Sequence, residues 1–473
     1  MTRVLLVNPP SPEQLGSPLL GQQYVAAALL ARGCQVRVVD AAARYHRVGA
    51  AEIVSAVDEF RPDVVAFGLF TRWIWHAYES AGQLRGRVPW LIAGGAHATA
   101  LPREVLDGGF DVVFAGEAEQ SVARFVDFLE GRRGLESIPG AHFRGGAGPA
   151  AEFVEDLDSL AEPLEAQSLY DSRWYDPSGR TVTPGGILTS RGCPARCTFC
   201  ANYVTGRGFR YRSAANVVQE LNRFHHLTGA SFFPFWDDAL TANLPRLFEM
   251  CRAFQEGIRF PIGWSAITRA NMVTPALLDA MKAAGCMAVN FGVESGDDSI
   301  LRVIKKGVST AHVVRALEWA KERGLVTACN FMLGFPQETP EALENTRRFL
   351  ERIAPLTDSF STLGVVVPFP GTPMYDDFHQ QYGFTDWWLE ERNSHYHAMP
   401  PVDDFDRYYR HYIDDANLEL DFFRYSADVR AMIRECLRYK GEHNLRRMGL
   451  LRDPVYQPVP VETASHAYRL GPS

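Results

Sequence analysis

Along the first 150 residues, short apolar runs recur between stretches of helical spacing. Residues 4–7, 36–39, 64–67, 91–93 and 112–115 are continuous enough to be buried on both faces, whereas 19–32 and 51–60 space their apolar side chains three and four apart. Gly33 stands where the first of these helices must stop. Strands alternating with helices predict a parallel, doubly wound sheet that binds ligands beyond the carboxyl ends of its strands. The loops there are 8–21, 68–76, 94–101 and 116–120. In them Gly94, Gly95 and Gly116 let backbone come close to a bulky ligand.

The alternation returns between 183 and 375. Candidate strands at 186–190, 231–236, 263–267, 288–293, 327–333 and 361–367, with helices such as 215–226, 275–284 and 340–353 between them, predict a partial (β/α)6 barrel. Residues 151–182, acidic and bearing Pro163 and Pro177, read as a linker wrapping between the two units. Residues 376–473 leave the barrel pattern and read as a mainly helical extension. It mixes Trp387, Trp388, His395, Tyr396, His397, Tyr408, Tyr409, His411 and Tyr412 with Asp403, Asp404, Asp414 and Asp415, a composition suited to a polyhydroxy or amino-bearing molecule. His and Asp together could also bind a metal, but without a recognisable spacing.

A chain of 473 residues exceeds one ordinary core, and 46% hydrophobic with 22% charged residues is the balance of a soluble enzyme. No apolar run approaches the ~20 residues that cross a bilayer, and the first ten residues read as a buried strand rather than a secretory leader. A cytoplasmic location without membrane attachment is therefore expected. The net charge of -8, with no basic stripe, argues against a nucleic-acid substrate.

Cys193, Cys197 and Cys200 form CxxxCxxC just after the run 186–190. Three thiolates can hold three corners of a 4Fe-4S cluster and leave the fourth iron open to another ligand. Structural zinc usually takes four ligands, often from paired CxxC knuckles, and no second pair exists. Cys34, Cys251, Cys286, Cys329 and Cys436 are scattered in apolar surroundings and read as buried thiols. The spacing, with aromatic Phe199 before the last cysteine, resembles the radical S-adenosylmethionine (SAM) superfamily. That resemblance implies SAM chelated to the open iron and cleaved reductively to methionine and a 5'-deoxyadenosyl radical. It also implies a one-electron donor such as flavodoxin or ferredoxin.

Three further pieces, 7–10, 93–102 and 115–119, resemble the cobalamin-binding domain that precedes some radical SAM cores. The implied architecture is a Rossmann-like cobalamin (vitamin B12)-binding domain over 1–150, the linker, a TIM-like radical SAM barrel over 183–375 and the extension. No DxHxxG string places a histidine under cobalt, and His97 reads as structural rather than ligating. Arg72, Trp73 or Trp75 could cover that lower face or belong to an aromatic cluster. The loop 206–213, rich in arginine, either closes over SAM or contacts substrate, or else is a surface loop with solvated arginines.

Polar residues stand where the barrel strands end. By the same resemblance Asp237 or Asp238 takes the SAM ammonium, Arg269 the carboxylate and Glu294 the ribose hydroxyls; otherwise Asp238 caps a helix and Arg269 pairs with a carboxylate. The strings 292–296, 334–339 and 370–373 match the same pattern. The expected activity is cobalamin-dependent methylation of an unactivated carbon in a small molecule, of the kind found in natural-product biosynthesis. The alternatives are dehydration, oxidation, epimerisation or cyclisation without cobalamin, and a sensor with no turnover.

Overall fold

The computed structural model describes residues 1–11, 15–46, 48–178, 185–361, 364–391, 393, 418 and 421–451. Its first sheet runs β2-β1-β3-β4-β5-β6-β7. Strands β1 (Arg3–Asn8), β2 (Gln35–Asp40), β3 (Val64–Gly68), β4 (Trp90–Gly94) and β5 (Val112–Phe114) are parallel. An antiparallel hairpin, β6 (Ala141–Phe143) and β7 (Gly146–Ala147), extends it, an addition that the alternation did not announce. Both faces are covered, as continuous apolar strands require. Leu5, Val7, Val65 and Phe67 enter one core, while Val4, Leu6, Val64 and Ile92 face the helices Leu20–Ala31 and Glu119–Leu129 in another. The first of these helices ends one residue before the Arg32 cap, and Gly33 follows at φ 75°, where a side chain would be strained.

The order reverses between β1 and β3, which opens a crevice at their carboxyl ends. Residues 157–175 do not hang free between units. Tyr175 donates to Asp40 at 2.6 Å and Gln23 to Gln167 at 3.1 Å, while Arg223 of a barrel helix pairs with Glu165 at 2.5 Å.

The second sheet holds β10 (Phe232–Phe235), β11 (Gly263–Thr268), β12 (Cys286–Glu294), β13 (Val326–Phe331) and β14 (Ser359–Ser361), all parallel and in sequence order. Thr-Pro pairs start three of its helices. Thr274, Thr339 and Thr372 each accept a backbone N–H through the hydroxyl, and the following proline needs no partner at the first helical position. The strand expected at 186–190 is cut short. Ile187 alone bridges to Phe235, after which β8 (Ser190–Arg191) pairs antiparallel with β9 (Arg210–Tyr211). The cause is local: Thr189 gives its N–H to the Asp237 side chain instead of a neighbouring strand.

At the far edge the helix Ala427–Arg447 covers β14. The Asn444 amide accepts the Phe360 N–H at 2.9 Å and donates to the Phe360 carbonyl at 2.8 Å, taking the place of a further strand. Among the described residues no helix is long and apolar enough to cross a membrane.

Candidate functional site

Cys193, Cys197 and Cys200 lie on the loop that leaves β8, and all are free thiols. The loop is pinned by its own backbone. Cys193 N–H donates to Gly206 at 3.2 Å, Thr198 N–H to Ile304 at 3.0 Å, and the Asn202 amide to the Ala195 carbonyl at 3.2 Å. Gly192 has φ 85°, and an added Cβ would lie 2.1 Å from the Gly208 carbonyl, so only glycine permits this turn. Among the described residues no three His, Cys, Asp or Glu side chains converge as ligands of one ion do. Thiolates that each bind a different iron need not converge. Burial and the neighbouring thiols push Cys200 up to about 11. The cationic irons of a cluster would reverse that shift. The other five cysteines are buried.

Arg269, just past β11, donates to Cys197 Sγ at 3.5 Å, and its Nε is buried without a partner. An unused donor beside three thiols suits an anionic ligand. Glu294 closes β12 at φ 74°, a conformation costly for a side chain of its type, at a register shift against β13. Its Oε1 accepts from Lys306 at 2.6 Å, and Lys306 lies 5.8 Å above the Phe199 ring. Gly292 makes room for this pair, since a Cβ there would sit 2.8 Å from the Lys306 ammonium. The sequence reading missed Lys306; its only signal was its place just after the short helix Asp298–Val303 that follows the Glu294 strand.

Asp237 and Asp238 part company. Asp237 is buried and takes the Thr189 N–H at 3.1 Å, the Thr189 hydroxyl at 2.7 Å and the Ser190 hydroxyl, while burial pushes its carboxyl up. These bonds hold the chain just before the cysteines. Asp238 is exposed on the cysteine side, accepting Gly192 N–H at 3.0 Å and the Thr205 hydroxyl at 2.7 Å. It caps no helix.

A cavity of about 270 Å³ opens at the carboxyl ends of β1, β3, β4 and β5. Gly68, Gly94, Gly95 and Gly116 line it, and a Cβ at Gly68 would meet no protein atom, so the missing side chain sets its width. The loop after β3 contributes Phe70 to the wall rather than Arg72 or Trp73. Trp73 is instead buried against Phe70, with ring centroids 4.9 Å apart. A largely apolar cradle with a glycine floor fits a broad, flat ligand such as a corrin. The opposite wall is formed by Leu188, Arg191, Val204 and Thr205, which flank the cysteine loop.

His97 has both ring nitrogens engaged. Nδ1 meets the Thr71 hydroxyl at 3.0 Å and Nε2 the Glu104 carboxylate at 3.1 Å. Glu104 also accepts from Tyr78 at 2.9 Å and from Trp388 at 3.0 Å. Burial raises its pKa, but these donors hold it below the usual carboxylate value. Trp388 therefore ties the extension to the first sheet and is not open for stacking on a substrate. Trp387 is buried beside it. The remaining aromatic and acidic residues from 395 to 415 lie outside the described residues. In the loop 206–213, Arg210 and Arg212 are buried in ion pairs with Glu117 and Glu220, so neither a solvated surface nor a mobile cover describes them.

Family models described as "Radical SAM superfamily" and "B12 binding domain" match residues 187–350 and 16–126. An uncharacterized methyltransferase of Pyrococcus horikoshii is 29% identical over 391 residues, 79% of this chain and 82% of its own length. The anaerobic magnesium-protoporphyrin IX monomethyl ester cyclase of Cereibacter sphaeroides is 28% identical over 80% of this chain and 62% of its own. Among solved structures, the radical SAM methyltransferase TsrM from Kitasatospora setae, bound to tryptophan and a SAM analog, superposes with a TM-score of 0.66 at 20% identity. The match spans 81% of this chain and 77% of that one.

Proposed function

Because the chain belongs to the radical SAM enzymes that carry an N-terminal B12-binding domain, we propose that it methylates an unactivated carbon of a small molecule, in the setting of natural-product biosynthesis. One observation carries this reading. The glycine-floored cavity of the first sheet and the loop of Cys193, Cys197 and Cys200 share a wall, Arg191, Val204 and Thr205, so ligands in the two places face each other. When bound, a 4Fe-4S cluster supplies the electron that cleaves SAM, and cobalamin supplies the methyl carrier.

The side chains do the holding. Cys193, Cys197 and Cys200 would ligate three irons. Arg269, with its unused Nε, would take the SAM carboxylate. Glu294, kept in place by Lys306, would accept the ribose hydroxyls, and Asp238, on the cysteine side, would take the ammonium. Phe199, half-buried against Phe335, would present an apolar face beside the cluster. Functionally the chain divides into a cobalamin-binding unit at 1–150, a linker at 151–182, a radical core at 183–375 and a substrate-recognising extension at 376–473. A flavodoxin or ferredoxin in the cytoplasm would deliver electrons, and the acidic chain makes nucleic acid a poor substrate.

Anaerobic reconstitution with iron, sulfide and hydroxocobalamin, followed by desalting and metal analysis, tests the reading. About four irons and one cobalt per chain, with label passing from methyl-deuterated SAM into small-molecule products, are expected. Iron retained without cobalt overturns it in favour of cobalamin-independent radical chemistry, such as the cyclisation named for the Cereibacter relative.

A further inference from the structure

Four charged side chains are buried where the β8–β9 ribbon meets the segment that follows β5. Arg191 and Arg210 stand opposite each other on the β8–β9 ribbon, and Glu117 and Glu119 lie two residues apart, the first in the loop after β5 and the second opening the helix Glu119–Leu129. Arg210 grips Glu117 with both ends of its guanidinium, at 2.7 and 2.9 Å, and also donates to the carbonyls of Val154 and Thr205. Arg191 donates to Glu119 at 2.6 Å, lies 3.4 Å from Glu117 and stacks 4.8 Å over the Tyr24 ring. All four are less than 10% exposed. Burial works against the Arg191 charge, yet Glu119 and Glu117 raise its pKa above the ordinary arginine value.

Desolvating four charges costs several kcal/mol per ion, and alignment returns that cost only when geometry is tight. Stability alone would be served by apolar residues of the same size. What the charges give is directional contact: two forks and two carboxylates fit in one arrangement, whereas an apolar interface can slide. The arrangement also lies between two places that must keep their distance. Gly116, Glu117 and Glu119 line the cavity, and Arg191 is followed directly by Gly192 and Cys193.

We propose that Arg191 and Arg210, locked to Glu117 and Glu119, are positioning residues that fix the separation between a cobalamin in the cavity and a cluster on the cysteine loop. This rests on the reading above. Methyl capture by a carbon radical tolerates little error, since displacement of about 1 Å costs roughly a hundredfold in rate.

The test compares the reconstituted wild type with a double variant, Arg191→Met with Glu119→Gln, which removes the pair without stranding a charge. The cluster is reduced, the cobalamin is brought to its paramagnetic cobalt(II) state, and electron paramagnetic resonance reads the spin coupling between them. Expected is one well-defined splitting in the wild type. In the variant, with iron and cobalt contents unchanged, that single splitting is lost to a spread of couplings. An equally sharp splitting in the variant overturns the proposal. Should the variant lose iron, Arg191→Lys carries the same comparison, because it keeps the charge and loses the fork. A wild type that retains iron but no cobalt overturns the functional reading itself, a different outcome from an unchanged splitting.

Discussion

Glu338 is enclosed under the turn that follows β13. One of its oxygens accepts the Gly334 N–H at 2.6 Å and the Phe335 N–H at 3.2 Å, and the other is buried without a partner. Burial pushes this carboxyl up to about 8. An acid whose folded pKa is raised binds its proton more tightly in the folded state. Its contribution is full below the ordinary carboxylate range and is lost as pH rises through 8. Glu338→Gln should flatten that loss, so urea midpoints of wild type and variant, taken between pH 5 and 9, should diverge as pH rises. The divergence should be at most about 1.4 kcal/mol per pH unit; parallel curves would refute it. At this scale the sequence is legible where chemistry is local. The cysteines are read from their spacing because one loop holds all three. Asp237 and Asp238 are neighbours of one residue type, and only the fold shows that one faces Thr189 and the other Gly192.

Among elements, the five parallel strands of the first sheet were plain in the sequence because burial on both faces writes continuous apolar runs, whereas the short hairpin β6–β7 was not. The first barrel strand was not, since Asp237 diverts its backbone bonds and sequence does not show which side chain will compete with a ladder. The covering of β14 is just as hidden. Asn444 lies 84 positions from Phe360 and carries no local sign that it replaces a strand. Asn444→Ala should leave a buried N–H and carbonyl unsatisfied and lower stability by about 2–6 kcal/mol, at about 1–3 for each group lost. Urea denaturation under anaerobic conditions measures this, and an unchanged midpoint would show that the edge needs no cover.

For the whole molecule, ligand loading and folding are linked through the cavity between the sheets. A Cβ at Gly68 would meet no protein atom, and leucine there would take up part of the cavity that Gly68 lines. Gly68→Leu should therefore fold and hold iron like the wild type, while cobalt retained after desalting falls at least tenfold. With ligand at 100 times its Kd the wild type should gain about 2.7 kcal/mol on adding hydroxocobalamin, and the variant nothing. Equal cobalt in both would place the corrin elsewhere. The loop 115–119 was legible as a ligand loop, but its carboxylates find their partners 72 and 93 positions away, a distance no local pattern spans.

Glu104 and Trp388 are 284 residues apart. A ribosome adding about 5–20 residues per second needs roughly 15 to 60 s to make that stretch. Throughout that interval His97 and Tyr78 are already made and can bond Glu104, while its last donor is not yet synthesised. Any chain that stops short of Trp388 presents this carboxylate incompletely bonded, which marks an unfinished product chemically before its length is ever measured.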